Sequence, residues 1–286
     1  MKYLKSRNHK SSIPKIIWTY WGQGAERQPH VIQKCISSWK AHNKDWDVIV
    51  LDETNTDQYV HLELPNSRLQ QIGLTKKSDL LRLQLLEKHG GVWADATVFC
   101  TTPLDSWLSD YIETGFFAFR NPGPDRLLST WFLASEKNLP LISNTKTRFI
   151  EFFSETHFDN ESIHKKLIHP FVRLLLNRSS RTTKFWMSDF VAKRLKIYPY
   201  FILHYLFERS IKSDMEFWRT WNSTKMISAY EPHAIFNHGL TRRINSKIKF
   251  HIDNKKSPLY KLSWKFNTHK LTSESAISYL FDTYGM

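Results

Sequence analysis

Residues 75–97 read TKKSDLLRLQLLEKHGGVWADAT, from Thr75 to Thr97. Leu80, Leu81, Leu83, Leu85 and Leu86 give the first part a wide apolar surface, as on a helix packed on most sides. Thr75 or Ser78 caps it, and Gly90-Gly91 stops it. Residues 92–99 then alternate. Val92, Ala94, Ala96 and Val98 share one face of a strand; Trp93, Asp95, Thr97 and Phe99 share the other. An acid and a hydroxyl thus sit together near a strand end. In open α/β sheets, ligands bind at the carboxyl ends of strands. A carboxylate there suits a divalent cation or a ribose hydroxyl, and magnesium or manganese prefers such oxygen ligands and bridges to phosphates.

The flanking chain extends the same pattern. Residues 13–21 read as a strand followed by Gly22 and Gly24. Residues 29–42 read as a helix, with Pro29 in its first turn and Ile32, Cys35, Ile36 and Trp39 on one face. Residues 46–51 form a short buried strand. This β-α-β order predicts an α/β domain with a largely parallel sheet. Residues 116–119 are another strand, and Asn121-Pro122-Gly123-Pro124 a tight turn. From about residue 140 the reading is mostly helical, over 140–157, 170–177 and 199–209. Residues 226–230 read as a returning strand, 241–258 as a basic loop and 273–281 as a closing helix. Residues 1–12 form a polar, basic tail. No repeat or linker divides the rest, so 13–286 is expected to be one domain with a helical, basic elaboration.

The basic character is uneven. Of 286 residues, 41 are Lys or Arg and 27 are Asp or Glu, for a net charge of +14. Residues 1–140 contribute +2 and residues 141–286 contribute +12. The second half therefore favours an anionic partner, whether nucleic acid, membrane surface or acidic polymer. The two cysteines, Cys35 and Cys100, read as buried free thiols, which fits a reducing compartment. The longest apolar run, residues 197–207, is too short for a span of roughly 20 residues. No apolar leader precedes the first strand, so the sequence predicts a soluble or peripheral protein.

Two more polar groups precede the Asp95 strand. Asp79 and Arg82 are three apart on one helix face. Among leucines they read either as a structural ion pair or as ligand groups, with Arg82 on a phosphate or sugar oxygen and Asp79 accepting from hydroxyls.

Residues 78–82, 90–97 and 103–105 together resemble the capsular polysaccharide synthesis protein family, itself similar to the yeast outer-chain initiating mannosyltransferases. Residues 13–22, 129–135, 200–207 and 257–265 look like further matching segments. The resemblance implies a GT-A type, Rossmann-like fold, a nucleotide-sugar donor and a divalent metal. It implies that Trp18 stacks on the donor base, that Asp79 and Arg82 hold ribose and transferred sugar, and that Asp95 opens the DXD-type motif. Thr97 stands where the wider superfamily commonly has a second acid. Asp95 then holds the metal with a later residue, or the diphosphate holds it. His238, in Phe236-Asn237-His238-Gly239, is the candidate helper or else a structural histidine. Lys261 and Trp264 either close over the diphosphate or are a solvated lysine and a core tryptophan. His204 reads as a hydrogen-bonded core residue.

The expected reaction is sugar transfer to a glycan or lipid-linked glycan acceptor in capsular or other cell-surface polysaccharide synthesis, with charge stabilisation of the leaving phosphate. The resembled families retain anomeric configuration. Inversion would need a carboxylate base, for which Asp214 and Glu216 are candidates. The rivals are a basic nucleic-acid binder, for which no module signature is present, and an inactive sugar-nucleotide-binding relative. The expected location is cytoplasmic, with peripheral contact by charge at an anionic inner membrane face.

Overall fold

The computed structural model describes residues 13–155, 158 and 163–285. The basic tail of residues 1–12 lies outside the described residues. The chain opens with β1 (Ile16–Tyr20), α1 (His30–His42) and β2 (Asp47–Leu51). It continues with α2 (Asn66–His89), β3 (Gly91–Ala94), β4 (Val98–Cys100), β5 (Phe116–Gly123) and β6 (Arg126–Ser135). Helices α3 (Pro140–Glu155), α4 (Ile163–Leu176), α5 (Ile202–Ser213), α6 (Met215–Ser223), α7 (Ala234–His238) and α8 (Ser246–Asp253) follow. Strand β7 (Leu259–Lys261) and α9 (Ala276–Thr283) end the chain.

The central sheet has the order β2-β1-β3-β6-β5. β1 pairs parallel with β2 and β3, while β6 runs antiparallel to β3 and β5. Only β6 therefore points against the other four strands. This is the Rossmann-like α/β class the β-α-β reading predicts. Helix α2 packs on one face with α3 and α5, burying Leu80, Leu81, Leu83, Leu85 and Leu86. α1 and the C-terminal elements cover β4 and β7 on another side.

The turn from α2 into β3 requires its two glycines. Gly90 and Gly91 have φ of 71° and 94°. A Cβ at Gly91 would fall 2.6 Å from the Ile16 carbonyl oxygen, so side chains there would push β3 off β1.

Several expectations need correction. Residues 92–99 are not one strand: β3 stops at Ala94, residues 95–97 turn, and β4 leaves for a second sheet with β7. The helix read from Thr75 is present; α2 as bounded here joins it, across a break at Gly73 (φ 68°), to a shorter helix from Asn66 that the leucine pattern does not reveal. Residues 226–230 make only one bridge, Arg120 to Ser228, and no strand. Residues 246–253 are helical, capped by the Asn245 side chain on the Ile248 N–H, with Ile248 and Ile252 buried. Two apolar positions in a basic segment gave too little periodicity to read.

Candidate active site

A cleft of about 770 Å³ opens at the carboxyl ends of β1 and β3. Tyr20 and Trp21 form its wall after β1. Asp95, Ala96 and Thr97 form it after β3. Asp79 and Arg82 come from α2, Tyr200 and Phe201 from the segment leading into α5, His204 from its first turn, and His233 from the segment before α7. Lys261 to Lys265 close it from the C-terminal side.

The polar groups form one chain of contacts. Lys76 Nζ lies 2.9 Å from Asp79 Oδ2, and Arg82 lies 3.1 Å from Asp79 Oδ1. Arg82 also lies 3.5 Å from Asp95 Oδ1 and donates to the Thr130 carbonyl at 2.6 Å. Lys261 Nζ donates to Asp95 Oδ2 at 2.8 Å and to Thr97 Oγ1 at 2.7 Å. Trp93 Nε1 donates to Asp95 Oδ1 at 2.9 Å, and the Arg82 guanidinium lies over the Trp93 ring. Lys76, Asp79 and Arg82 are buried. Buried charges persist only when paired and hydrogen-bonded, and these three are.

Asp95 gains its position from the turn. Its N–H donates to the Trp131 carbonyl on β6, and its carbonyl accepts from Val98 N–H at 2.8 Å. Burial alone would raise its carboxyl pKa. Lys261 and Arg82 outweigh that, with the Trp93 bond, and the net shift is downward. Asp95 is therefore ionised at neutral pH. Two histidines in the wall are held neutral. Burial lowers His204, and Arg126, Arg82, Lys76 and Lys261 lower it further. Burial also lowers His233, whose Nδ1 lies 2.7 Å from the Ala229 carbonyl and must carry the proton. Nε2 of His233 is left as an acceptor.

The structure thus brings together Asp79, Arg82, Asp95, Thr97, Lys261 and Trp264. It does not bring in Trp18 or His238. Trp18 lies in mid-strand, 1% exposed, with Nε1 donating to the Gly90 carbonyl and its ring against Tyr59. It belongs to the core and has no face for a base. The exposed ring is Trp264, edge-on to Trp21 at 5.5 Å. His238 does not line the cleft; its Nε2 faces the Arg243 carbonyl at 3.0 Å. Asp214 caps α6 by accepting from Glu216 and Phe217 N–H groups, and neither acid lines the cleft. His204 lines the wall as well as bonding Thr130 Oγ1 at 3.2 Å. Sequence reasoning missed Lys76, Trp21, Tyr200 and His233. Lys76 was findable, three residues before Asp79 on the same helix. The other three are set by how distant segments meet.

The side chains present do not by themselves form a ligand set for a divalent ion. Lys261 fills the place between Asp95 and Thr97, and Trp93 takes the other carboxylate oxygen. Among the described residues, no group of three His, Cys, Asp or Glu side chains is placed to hold a metal ion. The proposed set of Asp95, Thr97 and His238 therefore does not converge.

Comparison with known proteins adds a family. The family described as "Capsular polysaccharide synthesis protein" matches residues 1–187 and 177–280. The chain is 28% identical over 193 residues to O-glycosyltransferase braB of Annulohypoxylon truncatum, covering 60% of this chain and 44% of that protein. It is 26% identical over 187 residues to O-glycosyltransferase PaGT of Phomopsis amygdali, covering 59% and 45%. It thus spans under half the length of these curated relatives. A solved structure, PaToxG Glycosyltransferase, superposes with a TM-score of 0.41 at 13% identity, over 75% of this chain and 88% of that one.

Proposed function

The chain belongs to the capsular polysaccharide synthesis protein family, and from that premise we propose that it is a glycosyltransferase of GT-A type using a nucleotide-sugar donor. The observation that carries this reading is the continuous Asp79–Arg82–Asp95–Lys261 array facing the cleft. Four cationic side chains line the cleft, Arg82, Arg126, Lys261 and Lys265, against two acids, Asp79 and Asp95. That excess suits a diphosphate. The two carboxyl side chains can accept hydrogen bonds from ribose and sugar hydroxyls, which phosphate-binding cations cannot do. The exposed Trp264 ring offers a face to the base.

Departure of a nucleoside diphosphate places negative charge on its distal phosphate. Fixed cations in a partly dehydrated cleft stabilise that charge without reorganising. Lys261 supplies this cation from within the chain, held in place by Asp95 and Thr97. No metal enters this account. The acceptor is proposed to be a glycan, free or lipid-linked, met at the cytoplasmic face of a membrane. Retention of anomeric configuration is proposed, with the leaving phosphate taking the acceptor proton.

A thermal-shift screen of nucleotide sugars, with and without manganese, identifies the donor by stabilisation. Donor hydrolysis by the wild type, lost in Asp95→Ala while that variant still unfolds cooperatively within a few degrees of wild type in the absence of donor, is the expected result. Stabilisation by no nucleotide sugar, or an unaffected Asp95→Ala, would sink the proposal.

A further inference from the structure

Helix α4 carries apolar side chains on both its faces. Val172 and Leu176 pack inward on the cluster of Trp186, Val191, Ile197 and Tyr205. His169 joins that anchorage, its ring against Trp186 and its Nε2 3.0 Å from the Tyr198 carbonyl. The outward stripe should be polar in a helix that meets only water. Instead Leu167, Phe171, Leu174 and Leu175 recur there at helical spacing, with exposures of 65%, 71%, 66% and 55%. Phe185 and Phe190 are exposed in the two turns that follow. Isolated exposed leucines are ordinary; a contiguous helical stripe of this kind marks an interaction surface.

Charge identifies the occupant. Residues 163–196 hold nine Lys and Arg, Lys165, Lys166, Arg173, Arg178, Arg181, Lys184, Lys193, Arg194 and Lys196, and one acid, Asp189. The net charge of this segment is +8. A symmetric pair of these chains would set like charge against like charge across the interface. A nucleic acid would satisfy the cations and leave the apolar stripe in water. An anionic lipid surface satisfies both: headgroups take the cations and the acyl boundary takes the stripe. The helix lies on such a surface rather than crossing it. Its 14 residues span about 21 Å along the axis at 1.5 Å per residue. Among the described residues, no helix is long and apolar enough to cross a membrane.

We infer that α4 and the basic turns after it form an interfacial membrane-docking element, burying Leu167, Phe171, Leu174 and Leu175 in an anionic leaflet. The element is coupled to the cleft rim, since Tyr200 follows directly after Lys196–Pro199 and His169 holds the Tyr198 carbonyl. The inference stands on this surface alone and is independent of the proposed reaction.

The test is co-sedimentation of the full chain with vesicles of phosphatidylcholine alone or mixed with phosphatidylglycerol. Wild type should pellet with the mixed vesicles at low salt and remain in solution with the neutral ones. Phe171→Ser with Leu174→Ser keeps every charge and should lower partitioning at least about tenfold. Deuterium exchange of the wild type should slow across residues 163–176 when mixed vesicles are added, a readout that needs no variant. Wild type that stays in solution overturns the inference, as does a double variant that binds equally well, which would leave charge alone responsible. No protection in 163–176, or dimerisation through α4 without lipid, also overturns it.

Discussion

Replacing Lys261 with Met removes one ammonium and keeps most of the stem. The ammonium lies 2.8 Å from Asp95 and 2.7 Å from Thr97, so two contacts disappear together. Folding should tolerate this. The Lys261 and Asp95 side chains are 19% and 27% exposed, and Asp95 keeps Trp93 and Arg82. A partly screened pair of this kind contributes about 1 kcal/mol at most, roughly 2 °C in melting temperature. Catalysis should not tolerate it. One positioned charge on a developing oxyanion is worth about 2.7–4 kcal/mol, or about 10²- to 10³-fold in kcat. The assay is release of nucleoside diphosphate from the donor, in a chelator and then with manganese added. Wild type should turn over in the chelator. Lys261→Met should be slow there and partly recover with manganese, because the variant frees Asp95 Oδ2 and Thr97 Oγ1 for an ion. Lys261→Arg, which keeps the charge, should lie between. Wild type that is inactive in chelator and restored by manganese would refute the reasoning, and so would full activity in Lys261→Met.

Two further outcomes separate cleft residues from core residues. Trp264→Ala should raise KM for the donor about 5- to 150-fold, the range of one aromatic–base stack, with kcat within about twofold; Trp18→Ala should instead lose about 3–5 kcal/mol of stability, seen by urea unfolding, because it empties a buried site. His204 gives a pH signature. Its folded pKa is lowered by burial and four nearby cations, so below about pH 6.5 the unfolded chain binds a proton that the folded chain refuses. Its contribution is nil above that range and grows more destabilising as pH falls, so His204→Gln should lose less stability than wild type between pH 7.5 and 5.5, by on the order of 1 kcal/mol; parallel stability–pH curves would contradict this.

Local signals were readable where physics is local. The leucines of α2, the paired glycines after it and the Pro29 start of α1 announce their elements without tertiary help. So did Asp79 and Arg82, whose spacing alone puts them on one helix face. Trp18 shows where this stops. Its strand was legible, but only the sheet tells which residue of that strand reaches the carboxyl end; Tyr20 and Trp21 do, and Trp18 does not. His233 and Tyr200 carry no local pattern, since their place depends on α5 and the segment before α7 folding back over β6. Sequence pattern singled out His238 and passed over His233, yet His233, just before α7, lines the wall while His238, at the end of α7, is bonded to the Arg243 carbonyl.

Asp95 and Thr97 are the instructive case, because the pair was found for a reason the structure replaces. Strand alternation puts both on one face, but no strand passes through them. The interruption does more than alternation would. It sends β4 out of the central sheet to pair with β7, in a register that sets Val98 opposite Lys261. Leu262 N–H donates to the Thr97 carbonyl and locks the next position. A slip of one residue in that pairing would turn Lys261 to the opposite face and leave Asp95 with Arg82 and Trp93 alone. A cation from residue 261 thus reaches an acid at residue 95 because the strand between them breaks where it does.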